Sequence, residues 1–272
     1  MIVRGAIAAV GFSLLALVLV HAKWMIKPPT RVPSGEVHVF LLAGQSNMLG
    51  RAPYDGLGDY QDSKVYDWNG ERFQQAESPL SGANEGSMGL TVTFADQYLL
   101  AHKHVDALAF VQSAVGGTGL NRVDRNWNPG DAVYENAIAE VNSALIANPS
   151  FAFKGILWHQ GERDDAMSEH DYALAWDRMV SDMRKRIVGA DATTPVVLGQ
   201  IWPTEGEGVR AAIAATPNRM HAAALVTIEG TRQFDDLHFD ARSLRILGKR
   251  YYEAFSSLQN EVPVAEDAVR QN

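Results

Sequence analysis

No cysteine occurs among the 272 residues. That absence excludes disulfides, a thiol nucleophile and thiolate metal sites together, while leaving the compartment open. Charge is sparse as well: 21% of residues are charged against 46% hydrophobic, which excludes a disordered polyelectrolyte. Acid is missing altogether from residues 1–35, whose charges are Arg4, Lys23, Lys27 and Arg31. The rest of the chain therefore has 20 basic against 32 acidic residues, a balance of −12. A body so acidic repels phosphate backbones, so nucleic acid is not expected as a partner. Cofactor signatures are also lacking. Gly116-Gly117-Thr118-Gly119 is not the G-x-G-x-x-G that should follow a first strand. His159, Glu162, Asp164 and Asp165 match no zinc spacing and read as a polar loop, so neither cofactor nor metal is expected.

What is present begins with an uncharged apolar run, GAIAAVGFSLLALVLV, from Gly5 to Val20. Continued to Ala22 as a helix it spans about 27 Å, close to the thickness of a bilayer core. Arg4 before it and the small residues Val20 and Ala22 around His21 equally fit a signal peptide cleaved after Ala22. Residues 1–22 are thus expected to be a signal peptide or a membrane anchor, with the body exported or anchored. Residues 23–35, with Pro28, Pro29 and Pro33, read as an extended spacer. The basic flank runs against export under the positive-inside rule. Residues 261–272 read as a flexible tail.

The body, residues 36–260, alternates strand-like and helix-like segments. Glu36 to Ala43, Val105 to Ser113, Phe151 to His159, Pro195 to Ile201 and Ala224 to Ile228 read as five strands, apolar on both faces. Helical spacing is clearest at Tyr172, Trp176, Met179, Met183 and Ile187, and at Leu244, Leu247, Tyr251, Phe255 and Leu258 behind Asp240 as N-cap. Such alternation predicts an α/β fold: a three-layer α/β/α sandwich around a doubly wound, mainly five-stranded parallel sheet. The polar stretch from Gly50 to Gly89 reads as a rim element. Within it Val65 to Trp68 and Glu71 to Phe73 form a small hairpin on a type I′ turn at Asn69-Gly70.

Ligands of such sheets bind beyond the carboxyl ends of the strands, so the residues after each strand carry the chemistry. Ser46 follows the first strand, with Gly44 permitting a tight turn that exposes its hydroxyl, and is a candidate nucleophile. His238 follows Asp235 by three residues in the last loop, a spacing that lets the carboxylate orient one ring nitrogen while the other faces the serine. Gly116 and Gly117 allow close backbone approach, and Gln160 offers a neutral amide; both suit an oxyanion hole. Trp68, Trp127, Trp158 and Trp202 fall near the loop face and could stack on sugar rings.

The strings VFLLAGQSNMLGR, SAVGGTGL, WHQGERD and DDLHFD, in this order, resemble the sequence blocks of the SGNH hydrolase superfamily. The branch is that of sialate O-acetylesterases and family six carbohydrate esterases (acetylxylan esterases). The resemblance implies a carboxylic ester hydrolase that removes O-acetyl groups from a carbohydrate. It implies Ser46 as nucleophile, His238 as general base and Asp235 as its orienting acid. The oxyanion donors implied are the Ser46 amide, a glycine amide of the Gly116-Gly117 pair, and Gln160. Glu162 matches a glutamate of the family and reads as a hydrogen-bonding residue behind the site. Two rivals remain: an esterase of small or lipid acyl esters, and a carbohydrate-binding domain of the same fold without chemistry.

Overall fold

The computed structural model describes residues 33–121, 124–204 and 206–260. The apolar segment 1–22, most of the spacer and the tail 261–272 lie outside the described residues. Among the described residues no helix is long and apolar enough to cross a membrane.

The chain opens with strand β1 (Val37–Gly44), a one-turn helix α1 (Ser46–Leu49) and the short strand β2 (Ala52–Pro53). Then come β3 (Val65–Trp68), β4 (Phe73–Gln75), β5 (Ser87–Met88), α2 (Thr91–Ala101) and β6 (Ala107–Gln112). The second half alternates strictly: α3 (Ala132–Ala147), β7 (Ala152–His159), α4 (Glu169–Arg186), β8 (Val196–Gly199), α5 (Glu207–Arg219), β9 (Ala223–Val226) and α6 (Ala241–Asn260). Local chemistry sets the helix starts. The Ser168 hydroxyl accepts from the Asp171 N–H at 3.1 Å, and the Asp240 carboxylate accepts from the Ser243 N–H at 2.7 Å. Each satisfies an N–H that an α-helix start leaves orphaned.

Seven strands form one sheet in the order β4-β3-β6-β1-β7-β8-β9. All neighbours are parallel except the edge pair β3 and β4. β1 lies at the centre, with Leu41 opposite Val111 of β6 and Ile156 of β7. Its side chains alternate between two buried layers. Val37, Val39, Leu41 and Ala43 pack with Tyr134, Val141, Trp176, Met179 and Val209 from α3, α4 and α5. Phe40 and Leu42 pack with Phe94, Tyr98, Leu247, Tyr251 and Phe255 from α2 and α6. Each such fully buried Val, Leu or Phe contributes about 1.5–3 kcal/mol of transfer free energy, which is why the strand is apolar throughout. The fold is thus a three-layer α/β/α sandwich around a doubly wound, seven-stranded mixed sheet.

The expected five strands are present, and two more join them. The 65–73 hairpin does not sit on the rim: β3 pairs in parallel with β6, and Val65, Trp68 and Phe73 are buried. Its turn is not type I′ either, since that needs positive φ at both central residues and only Gly70 has it. Instead the Asn69 carboxamide oxygen accepts from the N–H groups of Glu71 and Arg72 and closes a longer loop.

Candidate active site

The chain leaves β1 toward one side of the sheet and later crosses from β6 to β7 on the other, so the crevice opens at the carboxyl end of β1. The turn there is tight. Gly44 has φ +124°, and a Cβ on it would run into the backbone of His159, so only glycine fits. The Gln45 N–H donates to the His159 carbonyl at 2.9 Å, fastening the turn to β7. Ser46 then begins α1 with its side chain almost covered, at 4% exposure.

Three residues from opposite ends of the body meet at this turn. His238 Nε2 lies 3.0 Å from Ser46 Oγ, and His238 Nδ1 lies 2.7 Å from Asp235 Oδ2. With Nδ1 protonated and facing the carboxylate, Nε2 is left to accept the serine proton. Asp235 Oδ1 accepts from the N–H groups of Leu237 and His238 at 2.8 Å and 2.6 Å. Partial burial pushes the Asp235 carboxyl up, but the bonds from the His238 ring and these two amides outweigh it and hold it below the usual range. Asp235 is therefore an ionised acceptor. The Phe234 ring lies nearly parallel to the imidazole at 5.9 Å and covers one of its faces.

Candidate donors for an oxyanion lie in the backbone. Gly116 lies against Ser46: a Cβ placed on it would sit 3.9 Å from Ser46 Cβ and 2.9 Å from Arg51 Nη2. Among the described residues, the N–H groups of Ser46, Gly116 and Gly117 have no acceptor within the protein. Gln160 requires a correction. Its amide nitrogen donates to Asp164 Oδ2 at 2.6 Å and to the Thr118 carbonyl at 3.3 Å, and its Oε1 accepts from the Tyr172 hydroxyl at 3.0 Å. Both amide hydrogens are engaged, so Gln160 is not a free oxyanion donor. The cause is the buried Asp164 carboxylate, which gathers donors from Gln160 and from the N–H groups of Leu120 and Asn121.

Sequence reasoning missed Asn47. Its side chain, 2% exposed, donates from Nδ2 to Glu162 Oε1 at 2.6 Å and to the Leu237 carbonyl at 3.3 Å, while Oδ1 accepts from the Phe239 N–H at 3.2 Å. Glu162 lies behind this residue, at 5% exposure. The only signal available was position, directly after the candidate nucleophile. The tryptophans also need correcting. Trp68, Trp127 and Trp158 are buried, and Trp127 spends its indole N–H on the Thr118 hydroxyl. Trp202 packs on Phe239. The exposed aromatic beside the site is Phe234, at 45%. Among the described residues no cluster of three or more His, Asp or Glu side chains could hold a metal ion.

A family model for carbohydrate esterases of the sialic acid-specific acetylesterase type matches residues 36–257. The chain belongs to this family. A probable carbohydrate esterase of Arabidopsis thaliana is 24% identical to this esterase over 185 residues, 58% of this chain and 67% of its own. Its crystal structure superposes with a TM-score of 0.65 at 21% identity, covering 81% of this chain and 98% of that one. The crystal structure of NanS gives 0.64 at 17% identity over 85% and 99% of the two chains. A carbohydrate acetylesterase from Xanthomonas citri gives 0.58 at 20% identity, over 82% of this chain and 56% of its own. These structures share the fold of the esterase described here.

Proposed function

We propose that the protein is a serine esterase that removes O-acetyl groups from a carbohydrate through an acyl-enzyme. The observation that carries this reading is the continuous relay Ser46 Oγ, His238 Nε2, His238 Nδ1, Asp235 Oδ2, with links of 3.0 Å and 2.7 Å. Ser46 Oγ attacks the acetyl carbon as its proton passes to Nε2, and the carbonyl oxygen takes the electron pair. The N–H groups of Ser46 and Gly116 are free to bind that oxyanion. Collapse expels the sugar oxygen, which takes the proton from Nε2. Water then gives a proton to Nε2, attacks the acetyl-serine, and releases acetate with Ser46 restored. Ionised Asp235 steadies the imidazolium in both halves.

Hydrolysis of acetylated sugars and of p-nitrophenyl esters of rising acyl length by the full chain tests this. Acetate should exceed octanoate in kcat/KM, because a small acyl site excludes long chains. Octanoate turned over as well as acetate would move the assignment to lipid esters. No turnover of any ester by folded protein would favour the binding-domain rival. The apolar run from Gly5 to Val20 supports a further part of the proposal, that the chain is exported or membrane-anchored. Intact residues 1–22 on a freely soluble cytoplasmic protein would overturn it.

A further inference from the structure

His238 is carried by a loop that has little to hold it. Arg232, Phe234, Asp235 and Asp236 are exposed, and the backbone ties inside the loop are few: the Phe234 N–H to the His238 carbonyl and the Asp240 N–H to the Arg232 carbonyl, each at 3.0 Å, which together form the bridge between Gln233 and Phe239. Nothing within the loop fixes how far it stands from β1, yet proton transfer from Ser46 to Nε2 depends on that distance. One side chain crosses the gap with hydrogen bonds to the backbone on both sides of His238. Asn47, next to the nucleophile, bonds to Leu237 and to Phe239, the residues on either side of His238, and is itself held by Glu162.

We propose that Asn47 is the positioning residue that sets the separation of Ser46 and His238, with Glu162 as its anchor; this rests on the serine mechanism given above. Its amide is suited to the task because it offers a donor and an acceptor at once. The carbonyl of Leu237 needs a donor, the N–H of Phe239 needs an acceptor, and Glu162 Oε1 takes the remaining hydrogen, so no atom of the carboxamide is spare. Aspartate cannot do this when ionised, since it has no N–H and would face Glu162 with a like charge. The Phe239 ring, 1% exposed and packed on His159 and Trp202, keeps the loop docked if the clamp is lost. Loss of Asn47 should therefore loosen the position of His238 rather than unfold the loop.

The test compares Asn47→Ala, Asn47→Asp and the double variant Asn47→Asp with Glu162→Gln in the full chain. Active sites are counted by phosphonylation of the serine, and p-nitrophenyl acetate is the substrate. Per counted site, Asn47→Ala should lose about a hundredfold in kcat with KM within about twofold, the scale of a reacting group misplaced by about 1 Å. Asn47→Asp should fall at least as far. The double variant should recover about tenfold over Asn47→Asp, because the introduced glutamine amide can donate to the introduced aspartate and rebuild the anchor with its polarity reversed. A merely structural role would reduce the number of active sites and leave kcat per site unchanged, and that result overturns the proposal. A crystal structure of Asn47→Ala supplies a readout independent of activity: the Ser46 to His238 distance should exceed the present 3.0 Å. An unchanged distance overturns the clamp even if the wild-type chain hydrolyses no ester, whereas failure of the wild type alone counts against the serine mechanism.

Discussion

His238 Nε2 lies 3.0 Å from Ser46 Oγ, although 192 positions separate the two residues in the chain. The first belongs to the loop before the last helix, the second to the turn after the first strand. Sheet order joins them, with β1 at the centre and the later parallel strands ending at the same edge. The proposed catalysis therefore depends on an arrangement that only the completed fold provides.

Replacement of the Ser46 hydroxyl should remove the nucleophile without disturbing the core. Ser46→Ala is expected to keep the wild-type Tm within a few degrees and to lose at least about three orders of magnitude in kcat/KM. Most of the activity surviving in a folded Ser46→Ala protein would exclude the acyl-enzyme.

Asp235→Asn tests the relay from its other end. The variant keeps an oxygen for the N–H groups of Leu237 and His238 but turns an amide N–H toward His238 Nδ1. That forces the proton onto Nε2, where it blocks acceptance from Ser46. A loss in kcat of about a hundredfold to ten-thousandfold is expected. Equal activity in the two proteins would show that the tautomer is not set by Asp235.

Gln160→Ala separates bracing from oxyanion binding. Removal strips a donor from the buried Asp164 carboxylate and from the Thr118 carbonyl, while the Tyr172 hydroxyl keeps the backbone carbonyl of residue 160, so stability should fall by about 1–3 kcal/mol in denaturant unfolding. If kcat falls by about a hundredfold while stability is unaffected, the amide must reorient to the oxyanion during turnover.

Acid should destabilise the fold through its buried histidines. Burial pushes His159 down to about 3, and burial with the Lys154 charge pushes His38 down to about 4. Both rings stay neutral in the folded chain while the unfolded chain binds protons below about pH 6.5. Stability is thus full above that pH and declines as pH falls toward 4. Asp67, raised to about 6 by burial, acts in the opposite sense by taking a proton in the folded state, and it offsets part of the decline. Tm measured from about pH 7.5 to about pH 5 should drop, and His159→Gln should flatten the curve. A level Tm over that range in the wild type would refute the assignment of neutral buried rings.

The long apolar strands and the periodic helices were legible because burial on both faces, or on one stripe, leaves a pattern of known period. β3 and β4 were not read as part of the sheet. Four residues interrupted by Asp67 give too short a pattern, and what makes β3 a sheet member is its pairing with β6, a contact distant in the chain. The residues that meet at the turn, Ser46, Asp235 and His238, were readable as candidates because serine after a strand, and aspartate three residues before histidine, are unusual chemistry in usual places. Gln160 and Asn47 were harder. A buried amide is defined by its partners, and those partners, Asp164 for one and Glu162 with the 237–239 backbone for the other, come together only in three dimensions.

The centre of the sheet and the loop that carries His238 differ in how firmly they are held. All eight residues of β1 are buried between two neighbours, whereas the Asp235 side chain is 43% exposed on a loop with few backbone ties. Segments of the second kind open at a fraction of the global unfolding free energy. On warming or in mild denaturant, amide hydrogens of residues 232–239 should exchange while those of β1 remain protected. Over that interval the protein would hold its sheet intact and its serine in place, yet turn over no ester until the loop closed again.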